Sequence, residues 1–491
     1  YYYTSNNAQA EKWYAKALES NNSSETIFRY AQTLKSNGKL EGYKLQMQKL
    51  AAQYPNDIRA KEYLKNPDFA LLSNKEKFTV KELDINSENS DFGSFFNNGV
   101  LYFASARNQT NKKYDWTNEP SLDIYKSVKS SNMGFTTPVE VTEVNSAYND
   151  GPASITADGN TMYFSSETWR YNSFEKNKND KLKLSKNCIY KAENIDGKWK
   201  NLISLSINST DYSTSNPCIS RDGKTLYFSS NRPGGFGGVD IWKVDVNSDG
   251  TVSAPINLGN KVNTEANESF PFISDDNNSL YFSSNGKNGY GAYDIYEIKL
   301  NENSEAKNLG KPVNTSFDDF AFSYYENSKI GFLSSNRAGN DNIYSVESIC
   351  ERTITTIVRN EKTNQVIPNA TISILDSSKT VVSNNVTNDK GELFFTIECN
   401  KDYTLLVTKE NFENKSVTVP QNNIPNTKMD VLLKPNDVII TDKEVILQPI
   451  YFELNKWNIT SQGATELDKL VRVMKEYPNM VIFAKSHTDS R

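Results

Sequence analysis

The sequence predicts a multidomain, mainly β protein that contains an N-terminal α-helical repeat, a five-bladed β-propeller, a β-sandwich and part of an α/β domain. Three observations support this prediction. A short aromatic motif recurs five times along the middle of the chain. The chain has 491 residues, which suits about three domains. Aromatic residues make up 12% of it, too many for a disordered chain and typical of strands.

Charge and composition exclude several function classes. The net charge is −5 and there is no basic stripe, so we expect no nucleic-acid partner. No run of about 18 apolar residues is present, as a membrane-spanning helix would need. His487 is the single histidine, which excludes metal sites built from several histidines, and no two cysteines form a CxxC pair. We therefore expect no metal and no cofactor.

Residues 1–72 are predicted to be helical. Apolar side chains recur at helical spacing in three segments, which begin near Glu11, Ser24 and Tyr43. Ser24 is predicted to cap the second helix, and the third helix is predicted to end at Tyr54. These paired short helices resemble tetratricopeptide repeats. The alternative is a small helical cap that packs on the next domain.

Residues 78–347 carry an internal repeat. One motif, Tyr-Phe-Ser-Ser or a variant of it, occupies residues 101–105, 162–166, 226–230, 280–284 and 330–335. A second motif, Asp-Ile-Tyr or a variant of it, follows at 123–125, 188–190, 240–242, 294–296 and 342–344. With the turn and short strand that precede the first motif, each unit supplies about four short strands, as a propeller blade does.

We predict five blades from these units, with six as the alternative if one blade is degenerate. Residues 78–83 precede the first complete unit, and the last unit ends before a clear fourth strand. Pairing of these two ends would close the ring and cover the sheet edges. The repeats resemble the WD-like repeats of the TolB type, and the resemblance covers the whole region.

Insertions distinguish the first two blades. Residues 106–121 and 167–186 separate motifs that lie closer together in the other units. The second insertion is rich in lysine, with Lys176, Lys178, Lys181, Lys183 and Lys186. Such a charge run is usually a solvated loop. The alternative is a loop that docks a partner.

Residues 350–434 are predicted to form a small β-sandwich, because about seven short strands alternate with turns. The order of Pro368, the turn at 387–391 and Tyr403 resembles carboxypeptidase-regulatory-like domains. The resemblance implies a structural or interaction module. Residues 436–447 are predicted to be a linker with little pattern.

The four cysteines are predicted to have two roles. Cys350 and Cys399 lie within the sandwich, where a disulfide would close a loop of about 50 residues and stabilise the domain by about 4 kcal/mol. The alternative is two buried free thiols. Cys188 and Cys218 lie on blades and are predicted to be small core residues.

Residues 448–491 show a strand, helix, strand order. The strands are predicted at 450–455 and 480–484, and the helix lies between them. The chain then runs into His-Thr-Asp-Ser-Arg at 487–491. This order resembles the N-terminal part of the OmpA-type peptidoglycan-binding domain. About half of that domain is present, so we expect the natural protein to continue.

The OmpA-type resemblance implies ligand roles for two residues. Asp489 would help to hold the ammonium-and-carboxylate end of diaminopimelate, and Thr488 would add a hydroxyl or backbone contact. A carboxylate suits an ammonium group. The alternative for Asp489 is a cap on a following helix. The arginine that the family places on a second helix has no counterpart in this chain.

Nothing in the sequence favours an enzyme. The serines at 229–230 and 334–335 have copies in other blades, whereas a nucleophile is singular and needs an adjacent base. The paired carboxylates at 275–276 lie in a predicted turn. The Gly-rich segment 233–238 joins two strands and does not precede a helix, which disfavours a phosphate loop.

The domain order as a whole resembles PorE-like proteins of the Bacteroidota type IX secretion and gliding machinery. This resemblance implies a periplasmic protein at the outer membrane, with or without a lipid anchor. Its C-terminal domain would bind peptidoglycan, and its helices and propeller would hold a PorP/SprF-type β-barrel and other secretion-machinery proteins. Two alternatives remain, namely a ligand-sensing propeller anchored to the cell wall and a general envelope stabiliser.

Overall fold

The computed structural model describes residues 7–69, 76–113, 117–130, 134–171, 175–176, 183–436, 439–440, 444–450, 452 and 457–483. The chain divides into two compact units, Tyr1–Ile349 and Cys350–Arg491. Antiparallel sheets dominate both units, and helices open the first, so the predicted mainly β class is confirmed. Within the described ranges, no helix is both long and apolar enough to span a membrane.

Four helices begin the first unit. They are α1 (Asn7–Ser20), α2 (Ser24–Ser36), α3 (Leu40–Gln53) and α4 (Ile58–Lys65). The cap of α2 is Ser23, whose side chain accepts a hydrogen bond from the amide of Thr26, so the predicted cap Ser24 is wrong by one residue. The helix α4 is not among the predicted ones, because its 8 residues are too few to show an apolar period.

Five four-stranded antiparallel sheets follow, one for each repeat unit. After β1 (Phe78–Glu82), the first sheet contains β2 (Asp91–Asn97), β3 (Val100–Ser105), β4 (Asp123–Val128) and β5 (Val139–Glu140). The second contains β6 (Ala153–Ile155), β7 (Thr161–Glu167), β10 (Asn187–Ile195) and β11 (Lys198–Ser204), and its insertion adds the hairpin β8 (Glu175–Lys176) and β9 (Lys183–Leu184). The third contains β12 (Thr214–Ile219), β13 (Thr225–Ser230), β14 (Asp240–Asp245) and β15 (Ile256–Asn257). The fourth contains β16 (Glu268–Ile273), β17 (Ser279–Ser284), β18 (Asp294–Lys299) and β19 (Lys307–Asn308).

The fifth sheet closes a ring. It contains β20 (Asp319–Tyr325), β21 (Ile330–Ser335) and β22 (Asn342–Ser348), and β1 completes it as the outer strand. In β1, Phe78 lies opposite Ser348 and Glu82 lies opposite Tyr344, which confirms the predicted pairing of the two ends. The innermost strands β2, β6, β12, β16 and β20 pack against one another in a closed cycle. The five sheets are therefore the blades of a β-propeller.

The repeated motifs supply the propeller core. The phenylalanine of each first motif is 0–1% exposed, in the set Phe103, Phe164, Phe228, Phe282 and Phe332. The isoleucine of each second motif is fully buried as well, in the set Ile124, Ile189, Ile241, Ile295 and Ile343. Cys188 and Cys218 are buried free thiols within blades, as predicted. The repeated motifs are thus explained by packing, since each copy supplies a phenylalanine and an isoleucine to the buried core of its blade.

The second unit begins with a two-sheet sandwich. Its seven strands are β23 (Glu351–Asn360), β24 (Thr371–Leu375), β25 (Val381–Val386), β26 (Glu392–Glu398), β27 (Tyr403–Thr408), β28 (Lys415–Val419) and β29 (Asn426–Leu433). One sheet has the order β26-β23-β29 and the other β25-β24-β27-β28. Cys350 and Cys399 form a disulfide at one end of the β23–β26 pair, with their Cα atoms 5.4 Å apart.

The rest of the second unit departs from prediction in two places. The predicted linker contains a short hairpin, β30 (Ile439–Ile440) with β31 (Val445–Ile446). The helix α5 (Ser461–Glu476) is present and is capped by Thr460. The described parts of the two predicted strands, Ile450, Phe452 and residues 480–483, are not in strands. The physical reason is that no described segment pairs with their backbone, and an extended segment becomes a strand only when a neighbour does so.

Candidate functional site

An asparagine holds each blade to the connection beside it. Its side-chain oxygen accepts the amide of the buried second-motif isoleucine, and its side-chain nitrogen donates to the carbonyl of that isoleucine. The five asparagines are Asn86, Asn145, Asn208, Asn263 and Asn314. Each follows a Val or Ile and precedes a Ser or Thr, as in Val262-Asn263-Thr264. This pattern was present in the sequence and is not among the predicted repeat elements.

A buried acid and an arginine form the second repeated network. A carboxylate begins the innermost strand in three blades and lies three residues before it in blade 2, where it is Asp150. The arginine comes from the segment after the Ser-Ser pair or its variant. The ion pairs are Arg107 with Asp91 at 2.7 Å, Arg170 with Asp150 at 2.6 Å and Arg337 with Asp319 at 2.5 Å. Burial raises the pKa of Asp150 and of Asp319, and the arginines oppose this effect.

Because these networks recur from blade to blade, they hold the blades together and do not mark a reactive site. All five acids or their replacements are 0% exposed. Buried charges need paired partners, and the arginines provide them. A functional site is therefore to be sought where one blade differs from the others.

The axis of the propeller is filled with aromatic rings. Near the ends of the innermost strands that carry the buried acids, the ring of Phe270 lies 6.3 Å from that of Phe92 and 5.0 Å from that of Phe320. Further along the axis, the ring of Tyr325 lies 6.2 Å from Phe95 and 5.2 Å from Phe272. A cavity of about 40 Å³ remains between the inner strands. This volume suits a water molecule and excludes an organic ligand.

Blade 4 lacks the arginine. Gly286 takes its place in the sequence, and the acid is Glu268. The neighbouring Lys287 donates to the carbonyl of Lys261 at 3.1 Å. Glu268 accepts hydrogen bonds from the hydroxyls of Thr264 and Ser284 at 2.7 and 2.6 Å. Burial raises the pKa of Glu268 to about 7, against the effect of these hydrogen bonds.

The N-terminal helices dock on this blade. Lys35 of α2 is 1% exposed, and its ammonium donates to the carbonyl of Gly289 at 3.2 Å. Gln32 donates to the carbonyl of Asn285, and Asn288 donates to the carbonyl of Glu62. Burial lowers the pKa of Lys35, and the nearby carboxylates of Asp294 and Asp318 oppose this. The helices thus place a buried cation beside the carboxylates of Asp294 and Asp318 at blade 4.

A cleft of about 570 Å³ lies beside this contact, lined by α2, the α3–α4 turn and one blade connection. The guanidinium of Arg59 pairs with Asp57 and Glu25, at 2.7 Å each. Glu265 of the blade connection accepts the amide of Ile58 at 2.9 Å. Burial raises the pKa of Glu265, and the adjacent carboxylate of Asp57 adds to this effect. The charged side chains that line this cleft are therefore mainly paired with one another, and Glu265 links the helices to the propeller.

The predicted peptidoglycan-binding residues, Asp489 and Thr488, lie outside the described residues. The side chains of four predicted insertion lysines, Lys176, Lys178, Lys181 and Lys183, lie outside them as well. Across the described ranges, no group of three or more His, Cys, Asp or Glu side chains is placed to hold a metal ion.

No protein-family model and no curated protein matches the sequence. Solved structures do match, among them TolB from Acinetobacter baumannii, with 15% identity, a TM-score of 0.33, and coverage of 54% of this chain and 55% of that one. A protein described as a TolB from Agrobacterium tumefaciens matches with 12% identity, a TM-score of 0.33, and 66% and 99% coverage. An endo-arabinase from Bacteroides thetaiotaomicron matches with 11% identity, a TM-score of 0.34, and 55% and 97% coverage. The chain thus spans about half of the Acinetobacter TolB, and at these scores the propeller assignment rests on the five sheets themselves.

Proposed function

We propose that this protein is a non-catalytic periplasmic scaffold that tethers an outer-membrane component of a type IX secretion or gliding machine to peptidoglycan. The proposal follows the PorE-like order of its segments and the OmpA-type motif that contains Thr488 and Asp489. In this proposal Asp489 receives the ammonium group of diaminopimelate. The helices and propeller hold a PorP/SprF-type barrel and other machinery proteins.

The filled axis of the propeller supports the proposal that this protein is not a catalyst. Aromatic rings occupy the place where a propeller would otherwise admit a ligand, and a cavity of about 40 Å³ is too small for an organic substrate. Buried acid–arginine ion pairs recur in three blades, and in each of them the aspartate pairs with the arginine of the same blade. A propeller of this kind would bind other proteins through its outer surface, as a scaffold does.

Co-sedimentation of the full chain with diaminopimelate-type peptidoglycan tests the wall-binding part. We expect the protein to pellet with the polymer and Asp489→Ala to weaken this by about tenfold, as loss of a charge-assisted contact does. Asp389→Ala is the matched control, because Asp389 is an exposed loop aspartate of the sandwich. Equal sedimentation of both variants and the parent protein would rule out the role of Asp489.

Affinity purification from the native outer membrane tests the partner part. We expect a β-barrel of the PorP/SprF type to be recovered with the full chain. Recovery of the barrel should survive Asp489→Ala, since wall binding and partner binding use different segments. Absence of any outer-membrane protein from the purified complex would refute the tethering role.

A further inference from the structure

Blades 3 and 4 carry twin loops between their second and third strands. Segments 231–239 and 285–293 have the same length, and both place an aromatic residue between glycines, Phe236 in blade 3 and Tyr290 in blade 4. Each aromatic residue donates its amide to the aspartate that begins the next strand. The distances are 2.5 Å from Phe236 to Asp240 and 3.0 Å from Tyr290 to Asp294. The same backbone design thus occurs twice on one face of the propeller.

The blade 4 loop is occupied by the protein's own helices. Its carbonyls at Asn285 and Gly289 accept hydrogen bonds from Gln32 and Lys35, which lie three residues apart on α2. The ring of Phe69, which follows α4, lies 5.4 Å from the ring of Tyr290. As a result Tyr290 is only 5% exposed.

The blade 3 loop has the same features without a cover. Phe236 corresponds to Tyr290 and is 44% exposed. Asn231 and Gly235 correspond to Asn285 and Gly289, and both are exposed. Arg232 fills the position of Gly286 and is buried beneath the ring of Tyr212. The rim of the blade 3 loop therefore offers an aromatic side chain and two accessible loop residues.

We propose that the blade 3 loop is a second helix seat, which binds an amphipathic helix of a partner protein. The partner helix presents a lysine and a glutamine three residues apart to the loop carbonyls and an aromatic side chain to Phe236. The occupied blade 4 loop identifies this occupant, because it shows which chemistry the shared backbone design receives. An aromatic anchor in a small, partly polar seat is typical of protein contacts. This inference goes beyond the proposed tether, since it needs neither peptidoglycan nor Asp489.

Photo-crosslinking to a defined probe tests the seat. The probe is a synthetic peptide with the sequence of residues 24–69, which contains every group that occupies the blade 4 loop. The full chain carries a benzoylphenylalanine at position 236, or at position 139 as the control. Val139 is 59% exposed and lies in β5, the outer strand of blade 1, which carries neither of the twin loops.

We expect saturable crosslinking at position 236 and only background at position 139. Replacing Lys35 by Ala in the peptide should lower the yield at 236 by about tenfold, as loss of a hot-spot contact does. Unlabelled peptide should compete. Equal yields at the two positions, or a yield at 236 that neither saturates nor depends on Lys35 of the peptide, would overturn the proposal. Wall binding by the same labelled protein would be unchanged in either case.

Discussion

Removal of Asn263 should measure how strongly one asparagine holds a blade. Asn263 is 0% exposed, its oxygen accepts the Ile241 amide at 2.8 Å, and its nitrogen donates to the Ile241 carbonyl at 3.0 Å. The nitrogen also donates to the side chain of Asn257 at 2.9 Å. In Asn263→Ala the Ile241 carbonyl keeps the amide of Leu258, but the Ile241 amide is left buried without an acceptor. The orphaned Ile241 amide costs about 1–3 kcal/mol and the two other lost hydrogen bonds about 1 kcal/mol each, so we expect a loss of about 3–5 kcal/mol.

Denaturant titration of the full chain, followed by tryptophan fluorescence, measures this change in the free energy of unfolding. Trp242 lies in the same strand as Ile241 and reports on this blade. Asn327→Ala is the control, because Asn327 is an exposed turn residue and its loss should cost less than about 0.5 kcal/mol. A change below about 1 kcal/mol for Asn263→Ala would refute the view that the asparagine repeat carries blade stability.

Three further predictions concern titrating groups and cysteines. The pKa of Glu268 is about 7 in the folded protein against its ordinary value of 4.5, so the stability that its protonation contributes is complete below pH 4.5 and is lost as the pH rises through 7. Glu268→Gln should therefore flatten the fall in melting temperature between pH 4.5 and 7. An unchanged dependence of the melting temperature on pH would contradict this. Burial raises the pKa of Cys188 to about 11 and of Cys218 to about 12, so both thiols should resist iodoacetamide at pH 8 until the protein is unfolded, as mass spectrometry would show. Replacing Cys350 and Cys399 by serine opens a loop of 49 residues and should destabilise the sandwich by about 4 kcal/mol in calorimetry, with reduction of the parent protein as the matching control.

The sequence by itself determined the elements that depend on local pattern. The recurring aromatic motifs predicted the blades, because each copy of the repeat supplies the same set of about four short strands. The ends of the repeat predicted the pairing of β1 with β22, since a sheet edge needs a partner. The helix α5 and the sandwich strands followed from the same reasoning.

Contacts between distant parts of the chain were decided only by the tertiary structure. Lys35 of α2 donates a hydrogen bond to the carbonyl of Gly289 in blade 4, and the two residues lie 254 positions apart, a relation that no local period encodes. The predicted strand at 480–484 shows the opposite case, since a continuous apolar run is insufficient where no strand pairs with the described residues. Local sequence thus specifies which face of an element is apolar, whereas the fold decides which element covers it. Phe236 and Tyr290 illustrate this, since both lie between glycines in loops of the same length, but helices cover Tyr290 and leave Phe236 exposed.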